Sequence, residues 1–218
     1  MRCIAHRGFA LAYPENTVPA VEQAVSDGAD GIEVDVRQCA SGELVVVHDE
    51  TVDRVSDGTG RVGELSLATL RSLDVLDTGR GIPTLAAVVD SLPTDVSLVA
   101  ELKETGLAGD AADVLAPVDR VLISSFDATA LAEVAQSTTL PYALLCRGDD
   151  DAVATATDLG CRAIHPHQRH CDQSLVTAAH DAGIAVTPWT VRSQSTAERL
   201  AAVGADGLIA DAPAYCPC

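Results

Sequence analysis

The sequence predicts an α/β fold, a TIM (β/α)8 barrel, from three observations. Short β-rich runs alternate with alanine-rich helical stretches along most of the chain, and this alternation favours a parallel sheet with crossover helices. The 218 residues hold about eight such units, an ordinary content for one barrel. Reactive polar side chains follow several apolar runs, where a barrel places its chemistry.

The β-rich runs are spaced by helical stretches of similar length. These runs are Arg2–Ala5, Gly31–Val36, Leu44–Val47, Val96–Leu102, Val121–Ser125, Tyr142–Leu145, Arg162–His165, Ile184–Trp189 and Gly207–Ala210. The helical stretches include Glu15–Ser26, Ala128–Ala135, Asp150–Leu159, Ser174–Ala182 and Ser195–Val203. There is one more β-rich run than an eight-stranded barrel needs.

The additional run is Leu44–Val47. Only seven residues separate Val36 from Leu44, whereas a parallel crossover needs about a dozen. We therefore expect an antiparallel hairpin with residues 40–42 at its tip. Folding back about that tip would place His48 beside Val34 or Asp35.

We predict a single domain over residues 1–218, with a small insertion at about 37–81 between the second and third barrel strands. Residues 51–81 contain an Asp-Gly-Thr-Gly turn and a short helical stretch, Leu67–Leu73. We expect this excursion to cap one side of the site.

The composition argues against nucleic acid and membranes as binding partners. The formal net charge is −18, and a chain without a basic stripe is a poor ligand for nucleic acid. No apolar run approaches the roughly 18 residues of a membrane span, so no stable membrane insertion is expected. The chain opens into Arg2–Ala5 without a leader-like pattern, which predicts a cytoplasmic protein.

The distribution of charge suggests a halophilic protein. Lys103 is the only lysine, and solvated carboxylates keep a protein soluble in high salt. An ordinary acidic protein is the alternative. In either case, the single lysine is expected to have a specific role.

Three carboxylates are candidate metal ligands. Residues i and i+2 of a strand share a face, so Glu33 and Asp35 point the same way. Glu101 also interrupts an apolar run. Burying these carboxylates without a partner is costly, and an all-oxygen ligand set favours Mg²⁺ or Ca²⁺ over zinc.

Two histidines and two cations complete a constellation typical of a divalent-metal phosphoesterase. His6 and His48 are candidates for general acid and base, because imidazole titrates near neutral pH. Arg7 can hold a phosphate through paired hydrogen bonds, and Lys103 can add a point charge.

Other residues leave two readings open. Phe126 and Trp189 are either core residues or the wall for a small substrate.

Residues 165–171 contain three histidines and a cysteine, but a polar loop is favoured over a second metal site. Cys216 and Cys218 could bind a metal or pair, although two thiols do not close a zinc site. Asp211 is read as a structural end of the last strand. Residues 14–17 are read first as a helix start, with a secondary role in holding the His6 loop as the alternative.

The ordered motifs resemble the glycerophosphodiester phosphodiesterase family, a PI-phospholipase-C-like TIM barrel. The similar stretches span nearly the whole chain: Ala5–Gly8, Pro14–Thr17, Glu33–Val36, Val47–Asp49, Ile82–Leu85, Glu101–Lys103, Ser124–Phe126, Pro188–Val191 and Gly204–Asp211. The resemblance implies a small glycerophosphodiester substrate and the Mg²⁺ or Ca²⁺ site described above. It also implies His6 and His48 as the acid–base pair and Arg7 and Lys103 near the phosphate.

The chain departs from the family pattern at Arg192, Ala86 and Ala210, where asparagine, an acidic residue and threonine are usual. Arg192 is expected to alter what the pocket accepts. Another phosphodiesterase of the same barrel type, resembling sphingomyelinase D or a phosphatidylinositol-cleaving enzyme, is the nearer alternative. A non-catalytic phosphate-binding barrel is the more distant one.

Overall fold

The computed structural model describes residues 1–148 and 151–216. The strands are β1 (Arg2–His6), β2 (Gly31–Gln38), β3 (Leu44–Val46), β4 (Ser97–Leu102), β5 (Val121–Ser125), β6 (Tyr142–Cys146), β7 (Ala163–Pro166), β8 (Ala185–Val186) and β9 (Gly207–Ala210). The helices are α1 (Val18–Ser26), α2 (Leu67–Ser72), α3 (Leu85–Ser91), α4 (Ala108–Leu115), α5 (Ala128–Ser137), α6 (Ala152–Leu159), α7 (Gln173–Asp181) and α8 (Gln194–Ala202).

The parallel strands follow the order β8-β7-β6-β5-β4-β2-β1-β9, which confirms the barrel prediction. Strand β8 is much shorter than the predicted run Ile184–Trp189, because Pro188 has no N–H for a continuous ladder. The gap between β8 and β9 is nevertheless bridged. The Asp206 N–H donates to the Val186 carbonyl, and the Val191 N–H donates to the Ile209 carbonyl, each at 2.9 Å.

The predicted hairpin is confirmed. Strand β3 pairs antiparallel with β2, with Val36 opposite Val46. The Val47 N–H then donates to the Asp35 carbonyl at 3.0 Å. His48 follows at once, so the hairpin delivers it to the carboxylate pair as expected.

Helix α1 begins three residues later than predicted. Thr17 is its N-cap, and the Thr17 hydroxyl accepts from the Ala20 N–H. Asn16 has a φ of 58°, in the left-handed region that a right-handed helix cannot use. The predicted start of α6, Asp150, lies outside the described residues.

The main core fills the space between the strands and the surrounding helices, and its most buried members include Ile32, Leu98 and Ile164. Residues 37–81 build most of a second core. It contains Cys39, Val45, Val47, Val52, Val55, Val62, Leu70, Val75 and Ile82. This segment is therefore packed on its own apolar side chains beside the barrel.

Cys216 forms a disulfide with Cys3, with a Cα–Cα distance of 5.4 Å. The bond ties the last described residue to β1, and its partner Cys3 is one that the sequence reasoning did not offer for Cys216. Cys218 lies outside the described residues. Across residues 1–148 and 151–216, no helix has the length and apolar character to cross a membrane.

Candidate active site

A pocket opens at the carboxyl ends of the barrel strands. Eight of the nine residues predicted for the site line it: His6, Arg7, Glu33, His48, Glu101, Lys103, Phe126 and Trp189. The ninth, Asp35, is fully buried and lies within reach of Glu33 and Glu101. The barrel therefore brings together side chains that are up to 183 positions apart in the sequence.

The acidic trio of Glu33, Asp35 and Glu101 is compact, with one oxygen of each side chain within 4.8 Å of the others. Asp35 and Glu101 are register partners on β2 and β4. Burial and the neighbouring carboxylates raise the pKa of Glu33 well above its usual range and that of Glu101 to about 7. It is therefore unfavourable for all three buried carboxylates to be ionised at once without a positive charge between them.

Asp35 is the exception within the trio. Burial alone would raise its pKa, but the charges of Arg7 and Lys103 outweigh burial and hold the pKa far below its usual range. The Lys103 ammonium lies 2.6 Å from Glu101 Oε1 and 3.3 Å from Asp35 Oδ1. The only lysine of the chain therefore serves the acidic trio.

These residues fit a hard divalent cation. Asp35 Oδ1 is buried and accepts no hydrogen bond, because its 3.3 Å contact with the Lys103 ammonium is an ion pair without hydrogen-bond geometry. A lone pair of this oxygen therefore remains available. Carboxylate oxygens are the ligands that Mg²⁺ and Ca²⁺ prefer. Among the described residues, this is the one group of acidic, histidine or cysteine side chains close enough to hold a metal ion.

His6 is oriented by a buried carboxylate. Its Nδ1 lies 2.5 Å from Asp211 Oδ1, while its Nε2 lies 4.0 Å from Glu33 Oε2. Asp211 also accepts a 2.5 Å hydrogen bond from Arg192 Nε. Although burial raises the pKa of Asp211, these two partners lower it below its usual range.

The sequence reasoning read Asp211 as a structural residue, whereas the structure places its carboxylate against the His6 ring. Asp211 follows β9 at the same end of the barrel as the other site residues, and this position is the signal that would have found it. Arg192, the departure from the family pattern, is mostly exposed and contacts Asp211 rather than the pocket.

His48 has a different environment. Its Nδ1 lies 2.6 Å from Asp49 Oδ1, and Arg54 Nε donates to the other oxygen of Asp49 at 2.6 Å. Burial and the positive charges of Arg7 and Lys103 lower the pKa of His48, and together they outweigh the opposing effects of the Asp35 charge and the Asp49 hydrogen bond. His48 is therefore biased towards the neutral imidazole, which can accept a proton.

Arg7 lies in a tightly turned loop. Its φ is 51°, an uncommon backbone conformation that clusters at functional sites. Its backbone N–H donates to Glu33 Oε2 at 3.1 Å, and its guanidinium lies 3.0 Å from Asp35 Oδ2 and 2.9 Å from Glu15 Oε1. The loop thus aims one arginine at two members of the acidic trio.

Glu15 and Asn16 support this loop rather than the start of α1. The Asn16 amide donates to Asp35 Oδ2 at 2.8 Å. Glu15 accepts two 2.9 Å hydrogen bonds from Arg54 in the segment 37–81. Arg54 also binds Asp49 within the same segment, so it connects the hydrogen-bond partner of His48 to the first loop, and the segment adjoins one side of the site.

An aromatic wall forms another part of the pocket lining. The Phe126 and Trp189 rings meet edge to face with centroids 5.3 Å apart, and Trp189 Nε1 donates to the His165 carbonyl at 2.9 Å. Arg147, which the sequence reasoning missed, stacks against this wall and lines the pocket. Its position just after β6 is the signal that would have identified it.

The histidine-rich loop forms no second metal site within the part of the chain that the structure describes. His165 is buried inside the barrel, where desolvation lowers its pKa to about 4. The His167 ring packs against Trp189 at 5.2 Å. These residues therefore support the aromatic wall.

Comparison with known proteins agrees with this geometry. The glycerophosphoryl diester phosphodiesterase family matches residues 6–113 and 107–215. A glycerophosphodiester phosphodiesterase from Caldanaerobacter subterraneus subsp. tengcongensis is 34% identical over 96% of this chain and 93% of that protein. One from Bacillus altitudinis is 30% identical over 97% of this chain and 95% of that protein.

Solved structures give the same result. An Oleispira antarctica phosphodiesterase, solved in complex with the product sn-glycerol-3-phosphate, superposes with a TM-score of 0.90. It is 28% identical, and the match covers 98% of this chain and 94% of that one. Since the family match spans nearly all of the sequence, the chain belongs to the glycerophosphoryl diester phosphodiesterase family.

Proposed function

We propose that this glycerophosphodiester phosphodiesterase hydrolyses its substrate to a glycerol phosphate and an alcohol, with His6 and His48 as the acid–base pair. The observation that carries the proposal is their shared pocket. Both imidazoles line it together with Glu33 and Glu101, and a separate carboxylate orients each ring. Phosphodiester cleavage needs proton transfer at the nucleophile and at the leaving oxygen, and two imidazoles can supply both.

Glu33, Asp35 and Glu101 would hold one divalent cation, Mg²⁺ or Ca²⁺. When bound, the cation supplies Lewis-acid stabilisation of charge on the phosphate oxygens. The chain's own cations add to this. Arg7 can present paired N–H donors to a non-bridging oxygen, and Lys103 can contribute a point charge.

The orientation of His6 supports a proton-transfer role. With Nδ1 bound to Asp211, its Nε2 faces the acidic trio, where the phosphate would lie. Asp211 also stabilises the positive charge that the ring carries when it holds a second proton. His48, biased towards its neutral form, can remove a proton from the nucleophile, which is either water or the glycerol hydroxyl of the substrate.

Substitution of each histidine tests this pair. His6→Ala and His48→Ala should each lower kcat by about 10²–10⁴-fold with glycerophosphodiesters. His180→Ala is the matched control, because His180 is exposed and bonds only Asp206 at 2.9 Å. Normal turnover in either site variant would refute the assignment.

A p-nitrophenyl ester of glycerol phosphate distinguishes the two roles. Its leaving group departs without protonation, so the variant that lacks the general acid should regain most of its activity with this substrate. The variant that lacks the general base should remain slow. Assignment of the base to His48 predicts recovery in His6→Ala and none in His48→Ala.

The identity of the cation requires its own measurement. Titration of EDTA-treated protein with Mg²⁺ and Ca²⁺, followed by calorimetry, should give binding to the wild type and none to Glu33→Gln. Activity with each cation then identifies the functional one. Comparison of glycerophosphodiesters with intact phospholipids separates this function from the membrane-directed alternatives.

The cellular location of the protein is also open to experiment, because two observations point in different directions. The sequence-based expectation is the cytoplasm, while the Cys3–Cys216 disulfide is of a kind that is rare there. Cell fractionation distinguishes a cytoplasmic location from an oxidising compartment.

Folding of the purified protein across a range of salt concentrations tests the expected halophilic character.

A further inference from the structure

The aromatic wall of the pocket is occupied by a side chain of the protein itself. The Arg147 guanidinium carbon lies 4.4 Å from the centroid of the Phe126 ring and 5.3 Å from that of Trp189. Both distances are within the cation–π range of about 6 Å. Two rings that converge on one point form a corner suited to a cation, and here the guanidinium fills it.

Arg147 differs from the other two cations of the pocket lining. Arg7 is ion-paired with Glu15 and Asp35, and Lys103 with Glu101 and Asp35. Within residues 1–148 and 151–216, no carboxylate lies within 4.0 Å of Arg147. Within that part of the chain, the close partners of its positive charge are therefore the two aromatic faces.

This arrangement has consequences for the alcohol group of a substrate. A quaternary ammonium such as choline binds to aromatic faces, but here it would compete with a tethered guanidinium and be repelled by it. An anionic group would instead gain paired hydrogen bonds from Arg147. A guanidinium at this position therefore favours an anionic alcohol group over a cationic one.

We propose that Arg147 determines substrate specificity by selecting glycerophosphodiesters whose alcohol bears a second anionic group and by excluding those that carry choline. The inference rests on the proposed function and names the substrate class of the same site. Arg7 and Lys103 are paired with carboxylates at the acidic trio, where the phosphodiester group itself would lie. Arg147 is a separate cation at the wall, and it matches an additional negative charge on the substrate.

A kinetic panel at one fixed salt concentration tests the specificity. The substrates are bis(glycerophospho)glycerol, glycerophosphoglycerol and glycerophosphocholine, which offer an anionic, a neutral and a cationic alcohol. Wild-type kcat/KM should fall in that order. Arg147→Gln should raise kcat/KM about tenfold for glycerophosphocholine and lower it about tenfold for the anionic substrate.

Two further variants separate charge from structure. Arg147→Lys keeps the positive charge and should preserve the substrate order. Arg169→Gln removes an exposed arginine that does not line the pocket, and it should leave the order and the rates unchanged. Equal changes for all three substrates in Arg147→Gln would overturn the proposal.

The fluorescence of Trp189 gives a readout that does not depend on catalysis. Trp189 is the only tryptophan of the chain, so its emission reports on the wall directly. Choline chloride should cause a saturable change in Arg147→Gln and none in the wild type beyond a sodium chloride control. A saturable choline response in the wild type would also overturn the proposal.

Failure of this inference is distinguishable from failure of the proposed function. If wild-type enzyme cleaves none of the three substrates, the proposed function fails. If it cleaves all of them but prefers glycerophosphocholine, the hydrolase remains and the role of Arg147 is refuted.

Discussion

Substitution of Asp211 by asparagine tests how the pocket orients His6. The variant keeps the shape of the side chain but removes the charge that lies 2.5 Å from His6 Nδ1. Hydrogen bonds to charged groups are worth about 1.5–3 kcal/mol, and about 1.4 kcal/mol of barrier corresponds to a tenfold change in rate. If the full contribution is lost in the transition state, kcat should fall about 10- to 150-fold.

The KM of the Asp211→Asn variant should change little, because Asp211 does not line the pocket. Steady-state kinetics with glycerophosphoglycerol separates kcat from KM, and a thermal melt verifies folding. Arg192→Gln is the matched control, since it removes the other partner of Asp211 from a mostly exposed position. A kcat of Asp211→Asn within twofold of wild type, or an equal loss in Arg192→Gln, would refute the orienting role.

Three further predictions concern stability. The pKa of Glu101 is about 7 in the folded protein and near 4.5 when unfolded, so this group makes the metal-free protein less stable as pH rises from about 4.5 to about 7. Mg²⁺ or Ca²⁺ should therefore raise Tm strongly at pH 8 and little at pH 5, and a rise independent of pH would contradict this. Asn16→Ala should lower the free energy of unfolding by about 2 kcal/mol in denaturant melts, because Asp35 loses a buried hydrogen bond; an unchanged midpoint would argue against that contact. Cys216→Ser should lower it by about 2–5 kcal/mol under oxidising conditions, and the difference from wild type should vanish when the wild type is reduced.

Much of the site was predictable from local pattern. The i, i+2 spacing of Glu33 and Asp35 places both on one face of any strand, whatever the fold around it. The seven-residue connection before Leu44 excluded a parallel crossover, so the return of His48 to the carboxylates followed from chain length alone. The barrel rule then placed Glu101 at the same end.

Other features were not predictable, because they join distant segments. His6 and Asp211 are 205 positions apart, and their contact depends on β9 closing the barrel beside β1. Arg54 reaches Glu15 only because the segment 37–81 packs against the first loop. No local periodicity encodes contacts of this kind.

The sequence by itself determined the fold class, the acidic trio and the two histidines, since strand alternation and connection length are local properties of the chain. The closure of the barrel decided which carboxylate orients His6 and which cysteine pairs with Cys216. It also placed Arg147 over the rings of Phe126 and Trp189. These contacts depend on the positions of whole strands relative to one another, and those positions are set by packing of the core rather than by any single segment.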